Sequence, residues 1–120
     1  MESISAIRKL SALAQDSRLA VFRLLIKAGP DGAPAGEVAR SLAITPNTLS
    51  AQLTILANAG LVTSRRQGRS IIYAADYEAM SQLLVYLMED CCQGRAEVCT
   101  PMAEAAARAA CCEAPTGAPS

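Results

Sequence analysis

The sequence predicts a mainly α fold with one β-hairpin, and three observations carry that reading. Apolar residues recur every three or four positions over most of residues 4–91, the period of a helix with one buried face. One pair of short runs rich in β-formers, Leu61–Ser64 and Ser70–Tyr73, breaks the pattern, with a glycine between them where a hairpin must reverse. The chain has 120 residues, 52% apolar and 18% charged, which suits one globular domain small enough to gain from homodimerisation.

Ile4, Ile7, Leu10 and Ala14 recur at helical spacing, and Leu19, Phe22, Leu25 and Ile26 do so again after Asp16, the expected N-cap of a second helix. Gly29-Pro30-Asp31-Gly32 is turn chemistry. Pro34 then opens a short helix with Val38, Ala39 and Leu42 facing inward. Thr45 as N-cap and Pro46 in the first helical position start the next helix, which Gly60 ends. Its apolar stripe is Leu49, Leu53 and Leu56, while Asn47, Thr48, Ser50, Ala51, Gln52 and Thr54 are short or polar and point elsewhere. The hairpin follows, with Arg65, Arg66 and Arg69 expected at its tip.

Asp76 is the N-cap of a last main helix carrying Met80, Leu83, Leu84, Leu87, Met88 and Cys91 at steps of three and four. Val85 and Tyr86 widen that apolar arc beyond one core-facing stripe, which a dimer seam explains. Gly94 is the expected stop, Pro101 opens an alanine-rich segment, and residues 115–120 read as a frayed tail. The division expected is residues 1–92 as the main domain with its dimerisation helices and 93–120 as a cysteine-containing tail.

The net charge is zero but unevenly placed. Residues 1–75 hold nine basic and four acidic side chains, and the remainder holds two basic and seven acidic. A basic body is compatible with a polyanionic partner at one face. No apolar stretch is long enough to span a bilayer, so no membrane partner is expected. Met1-Glu2-Ser3-Ile4 lacks the basic-then-apolar order of a secretory signal, and the expectation is a cytoplasmic protein with reduced thiols.

Helix, three-residue turn, helix, then an arginine-bearing hairpin is the order of a winged helix-turn-helix. Such a unit needs a second helix with an aliphatic buried side and an exposed side of short polar groups able to approach base edges in the major groove. Residues 45–59 meet that requirement. Arginines on a projecting hairpin sit near phosphates or in the minor groove and supply salt-sensitive affinity more than base choice.

The segments Ser17-Arg18-Leu19-Ala20-Val21-Phe22-Arg23-Leu24-Leu25, Thr45-Pro46-Asn47-Thr48-Leu49-Ser50-Ala51-Gln52-Leu53 and Arg66-Gln67-Gly68-Arg69-Ser70-Ile71-Ile72-Tyr73 resemble the ArsR/SmtB family of metalloregulatory repressors. The likeness runs from about residue 4 to 92. It implies a homodimer, paired through its first and last main helices, that binds double-stranded operator DNA when ligand-free. It maps Pro46, Asn47, Thr48, Ser50, Ala51 and Gln52 onto the recognition helix and Arg65, Arg66 and Arg69 onto the wing. Two departures stand out. Gly36-Glu37-Val38-Ala39-Arg40 occupies the place where many arsenic sensors hold a Cys-x-Cys pair, and the chain has no histidine for the family's zinc site.

All five cysteines, Cys91, Cys92, Cys99, Cys111 and Cys112, fall in the last thirty residues. Gly94 lets the chain turn back so that Cys91, Cys92 and Cys99 can converge on one ion. Thiolates select soft or thiophilic ions, and three are too few to close a tetrahedral zinc site unaided. Trivalent arsenic and antimony take three thiolates in a pyramid, and some family members place a Cys-Cys pair at the end of the last helix with a third cysteine shortly after. On that likeness Cys91, Cys92 and Cys99 are the ligands of As(III), inorganic or methylated, or of Sb(III), as inducer, with no organic cofactor. Cys111 and Cys112 form a second pair that serves the same ion, a second site, a transfer site or none.

The rival readings keep the fold and change the inducer, to a disulfide or persulfide switch or to zinc, cadmium or lead. A thiol enzyme of the arsenate-reductase type would need a cysteine followed, after five intervening residues, by arginine, but Arg95 follows Cys91 and Cys92 by only four and three positions, and the sequence has no histidine base. The expectation is therefore not an enzyme. A metal-carrying chaperone would leave the second helix and the hairpin arginines unexplained.

Overall fold

The structure, a computed structural model, describes residues 2–88, 101, 104 and 105. Its elements run α1 (Ser3–Leu13), α2 (Asp16–Ala28), β1 (Ala33–Pro34), α3 (Ala35–Leu42), α4 (Pro46–Asn58), β2 (Val62–Gln67), β3 (Ser70–Ala75) and α5 (Tyr77–Met88). By its internal contacts the chain divides into Met1–Tyr86 and Leu87–Ser120. The first unit is described below.

The core gathers one face from each of several elements: Val21, Phe22 and Leu25 of α2, Val38 and Ala39 of α3, Leu49, Leu53 and Leu56 of α4, and Leu61 and Val62 at the start of the hairpin. Full burial of each large aliphatic side chain here is worth roughly 1.5–3 kcal/mol. The predicted stripe of α4 is therefore the inner face of that helix. In α1 the helix stands where the sequence places it, but its inner face is Ala6, Lys9 and Ala12, leaving Ile4, Ile7 and Leu10 exposed. Small residues let α1 lie close to its neighbours. The Lys9 ammonium donates to Ser5 Oγ at 2.9 Å and lies beside Gly60, at the C-terminal end of α4, where the helix dipole favours a cation.

Helix ends follow side-chain chemistry, with one change from expectation. Gln15, not Asp16, caps α2, its side chain accepting from the Arg18 backbone N–H at 2.9 Å; Asp16 is the first helical residue. Thr45 caps α4 by accepting from the Thr48 N–H at 3.2 Å, with Pro46 in the first turn, as the sequence predicts. Asp76 caps α5 through the Ala79 N–H at 3.0 Å. The turn from α3 to α4 passes through Ala43 in the left-handed region (φ 55°), a conformation that costs a side-chain-bearing residue about 1–2 kcal/mol.

The sheet has three antiparallel strands in the order β1-β3-β2. The hairpin pairs Val62 with Ala75 through to Gln67 with Ser70, so only Gly68 and Arg69 form the turn. Gly68 has φ 65° and Arg69 a negative φ, the pattern of a type II′ turn, whose twist matches the flanking strands. Arg65 and Arg66 are thus strand residues and not tip residues: β2 runs on to Gln67, past the expected Ser64, while β3 begins at Ser70 as the sequence predicts.

Strand β1 was not anticipated. Ala33 pairs with Tyr73 and Pro34 with Ile72, and Pro34, which cannot donate, ends this edge strand and caps α3 rather than opening it. Gly32 just before it has φ 77°, and a side chain there would collide with the Tyr73 carbonyl. In α5 only Ala79 and Leu83 are buried; Leu84, Val85, Leu87 and Met88 remain exposed. Among the described residues no helix is long and apolar enough to cross a membrane.

Candidate nucleic-acid interface

The N-terminal half of α4 presents Pro46, Asn47, Thr48, Ser50 and Ala51 to solvent, with Leu49 and Leu53 buried behind them. This follows from the period. With leucines at 49, 53 and 56 turned inward, Asn47, Ser50, Ala51 and Thr54 fall on the opposite arc. All are short, so the helix backbone can approach another surface closely. Thr48 Oγ1 accepts from the Thr45 hydroxyl at 2.9 Å, which fixes the rotamers at the start of the helix.

Gln52 departs from this group. It is half-buried, and its side-chain oxygen accepts from Arg18 at 3.2 Å.

The hairpin stands beside α4. Ile71 and Tyr73, on one face of β3, line a groove of about 200 Å³ with Pro46, Leu49, Ser50 and Leu53. Arg66 pairs with Ile71 across the hairpin and therefore lies on the sheet face that fronts α4. Arg65 pairs with the buried Ile72 and lies on the other face, where its guanidinium donates to the Asp31 carbonyl at 2.9 Å. Arg69 occupies the turn itself. The three arginines named from sequence thus have three situations: one tied back to the α2–β1 turn, one exposed on the face toward α4, and one exposed at the tip. Nothing in the residue order distinguished them, because strand register decides which face each occupies.

Cys91, Cys92, Cys99, Cys111 and Cys112 lie outside the described residues. Among the described residues no three His, Cys, Asp or Glu side chains gather to hold a metal ion.

A helix-turn-helix domain family matches residues 13–65, from the end of α1 into β2. The transcriptional regulator NmtR of Mycobacterium tuberculosis is 39% identical over 75 residues, which cover 62% of this chain and 60% of that protein. The chain thus spans less than two thirds of the length of this curated relative. Among solved structures, the homodimeric winged helix-turn-helix DNA-binding domain of a possible ArsR-family transcriptional regulator from Mycobacterium bovis is 27% identical, with a TM-score of 0.59 over 72% of this chain and 79% of that one. A possible transcriptional regulator for arsenical resistance is 28% identical, with a TM-score of 0.59 over 66% of this chain and 79% of that one. NmtR is a transcriptional regulator, the two structural neighbours are possible ones, and none of the three is an enzyme by its description. Together with the helix-turn-helix and the hairpin beside it, these likenesses support a transcriptional regulator of the ArsR/SmtB type.

Proposed function

We propose that the protein is a cytoplasmic, homodimeric, arsenic-responsive repressor. Residues 1–92 bind operator DNA and dimerise, and 93–120 form the thiol-bearing tail. The observation that carries the DNA-binding part is the shared frontage of α4 and the hairpin: Asn47, Thr48, Ser50 and Ala51 exposed on the helix, and Arg66 on the sheet face turned toward it. In this reading the helix enters the major groove and Arg66 and Arg69 neutralise phosphates, while Arg65 holds the wing in place.

Dimerisation is supported by apolar surface that the first unit leaves exposed. Ile4, Ile7 and Leu10 on α1 and Leu84 and Val85 on α5 lie open to water, on the two helices that the family uses for pairing. The relative from Mycobacterium bovis is homodimeric.

The inducer reading rests on the donor set. Three thiols and no histidine suit a thiophilic ion with three-coordinate geometry, and one structural neighbour is a possible transcriptional regulator for arsenical resistance. As(III) bound by Cys91, Cys92 and Cys99, just beyond the described end of α5, favours a dimer that holds DNA poorly. A coupling of roughly 1–3 kcal/mol between the two sites gives a 5- to 150-fold loss of operator affinity.

X-ray absorption on the As(III) complex tests the site. Three sulfur neighbours in the wild type and two in Cys99→Ser support it. An unchanged sulfur count in Cys99→Ser, or DNA release caused solely by an intramolecular disulfide, replaces it with another ligand set or with a redox switch.

A further inference from the structure

We infer that Gln52 is a positioning residue that fixes α4 against α1 through Arg18, and not a reader of base edges. This rests on the DNA-binding reading above and corrects the role that sequence likeness gives to Gln52.

Arg18 is the third residue of α2, and its placement is set before α4 is considered. Its Nε donates to the Ala12 carbonyl at 2.7 Å, and its backbone N–H to the capping Gln15 side chain at 2.9 Å. Ala12 lies in the last turn of α1, where carbonyls have no helical partner and a cation is favoured. The guanidinium is therefore held by the end of α1 through Nε, with its two amino groups left over. One of them, Nη1, donates to Gln52 Oε1 at 3.2 Å, so a single side chain spans from α1 to the middle of α4.

The tie matters because the space around it is not filled by core side chains. Between α1 and α4 runs a groove of about 470 Å³ whose lining includes Ile4, Ile7, Arg8, Arg18, Ile55 and Asn58. Gln52 lies on the flank of α4, between the leucine stripe and the exposed arc of Asn47, Ser50 and Ala51. With its oxygen occupied by a charged donor, its geometry is fixed by the protein. The outward face of α1 carries Ile4, Ile7 and Leu10 beside Arg8 and Ser11, so the Arg18 bridge links that face to α4.

The test uses the full chain and a duplex selected by the wild type from a randomised pool. Arg18→Ala and Gln52→Ala are each expected to weaken binding roughly tenfold, the scale of a hydrogen bond to a charged group. The double variant should be no weaker than either single one. Reselection with Gln52→Ala should return the wild-type sequence, and Gln52→Glu, which keeps an acceptor for Arg18, should bind more tightly than Gln52→Ala. A changed base preference with Gln52→Ala, or additive losses, overturns the inference.

Urea unfolding of the wild type, the two single alanine variants and the double variant reads the tie without DNA, where non-additive losses are expected and additive ones overturn it. A wild type that selects no sequence rejects the DNA-binding reading and, with it, the positioning role. Coupling in the unfolding data would still stand as a finding about the fold.

Discussion

The Tyr77 hydroxyl donates to the Ile26 carbonyl across 2.9 Å, joining the first residue of α5 to the last turn of α2. Beside it, the Asp76 N–H donates to the Leu61 carbonyl at 2.8 Å, and the Asp76 side chain caps the helix. The start of α5 is thus fastened to the helix-turn-helix body and the hairpin. Removing the hydroxyl in Tyr77→Phe should lower stability by about 0.5–1 kcal/mol, and removing the cap in Asp76→Ala by about 1 kcal/mol, both read by urea unfolding.

Two glycines four residues apart should respond oppositely to alanine. Gly32 has φ 77° and faces the Tyr73 carbonyl, so Gly32→Ala should cost more than 1 kcal/mol and loosen β1 from β3. Gly36 sits in α3 with ordinary φ, and an added Cβ meets only Arg40 at an ordinary contact distance of 3.5 Å. Gly36→Ala should therefore stabilise by roughly 0.5–1 kcal/mol. Thermal unfolding of the two variants checks both signs.

A carboxylate placed on either exposed apolar face should break the proposed dimer. Ile7 and Val85 are 63% and 61% exposed, and Ile7→Glu or Val85→Glu would bury an unpaired charge in a seam formed there. Sedimentation should show the dissociation constant rising at least about tenfold, with helix content unchanged. Two variants that sediment as the wild type does would place the dimer seam elsewhere.

The wing arginines should separate by their salt dependence. Arg66→Ala and Arg69→Ala should each reduce the slope of log affinity against log salt by about one, the mark of a lost phosphate contact. Arg65→Ala should weaken binding with a smaller change of slope, because its guanidinium is engaged with Asp31 of the protein itself.

The legible parts of the fold were those whose physics is local. Thr45-Pro46 specifies a helix start within two residues, the leucines at 49, 53 and 56 specify its inner face, and Gly68 permits the tight reversal. What the sequence did not disclose depends on partners distant in the chain. Strand β1 is two residues long, one of them a proline, and exists only through pairing with β3 forty residues on. In α1 the largest apolar residues were the natural choice for an inner face, yet Ala6 and Ala12 take it, since close helix approach favours small groups, together with Lys9, whose ammonium sits beside Ser5 and Gly60. Gln52 looked like its polar neighbours on α4 until Arg18, 34 residues earlier, was seen to hold it.

In the proposed function, As(III) on the C-terminal thiols releases DNA. Fluorescence anisotropy of a labelled operator duplex, titrated with arsenite under reducing conditions, measures this directly for the wild type and Cys91→Ser. Arsenite should lower wild-type affinity at least about fivefold and leave Cys91→Ser bound. A wild type that stays bound, or a Cys91→Ser protein released at the same arsenite concentration, would contradict it.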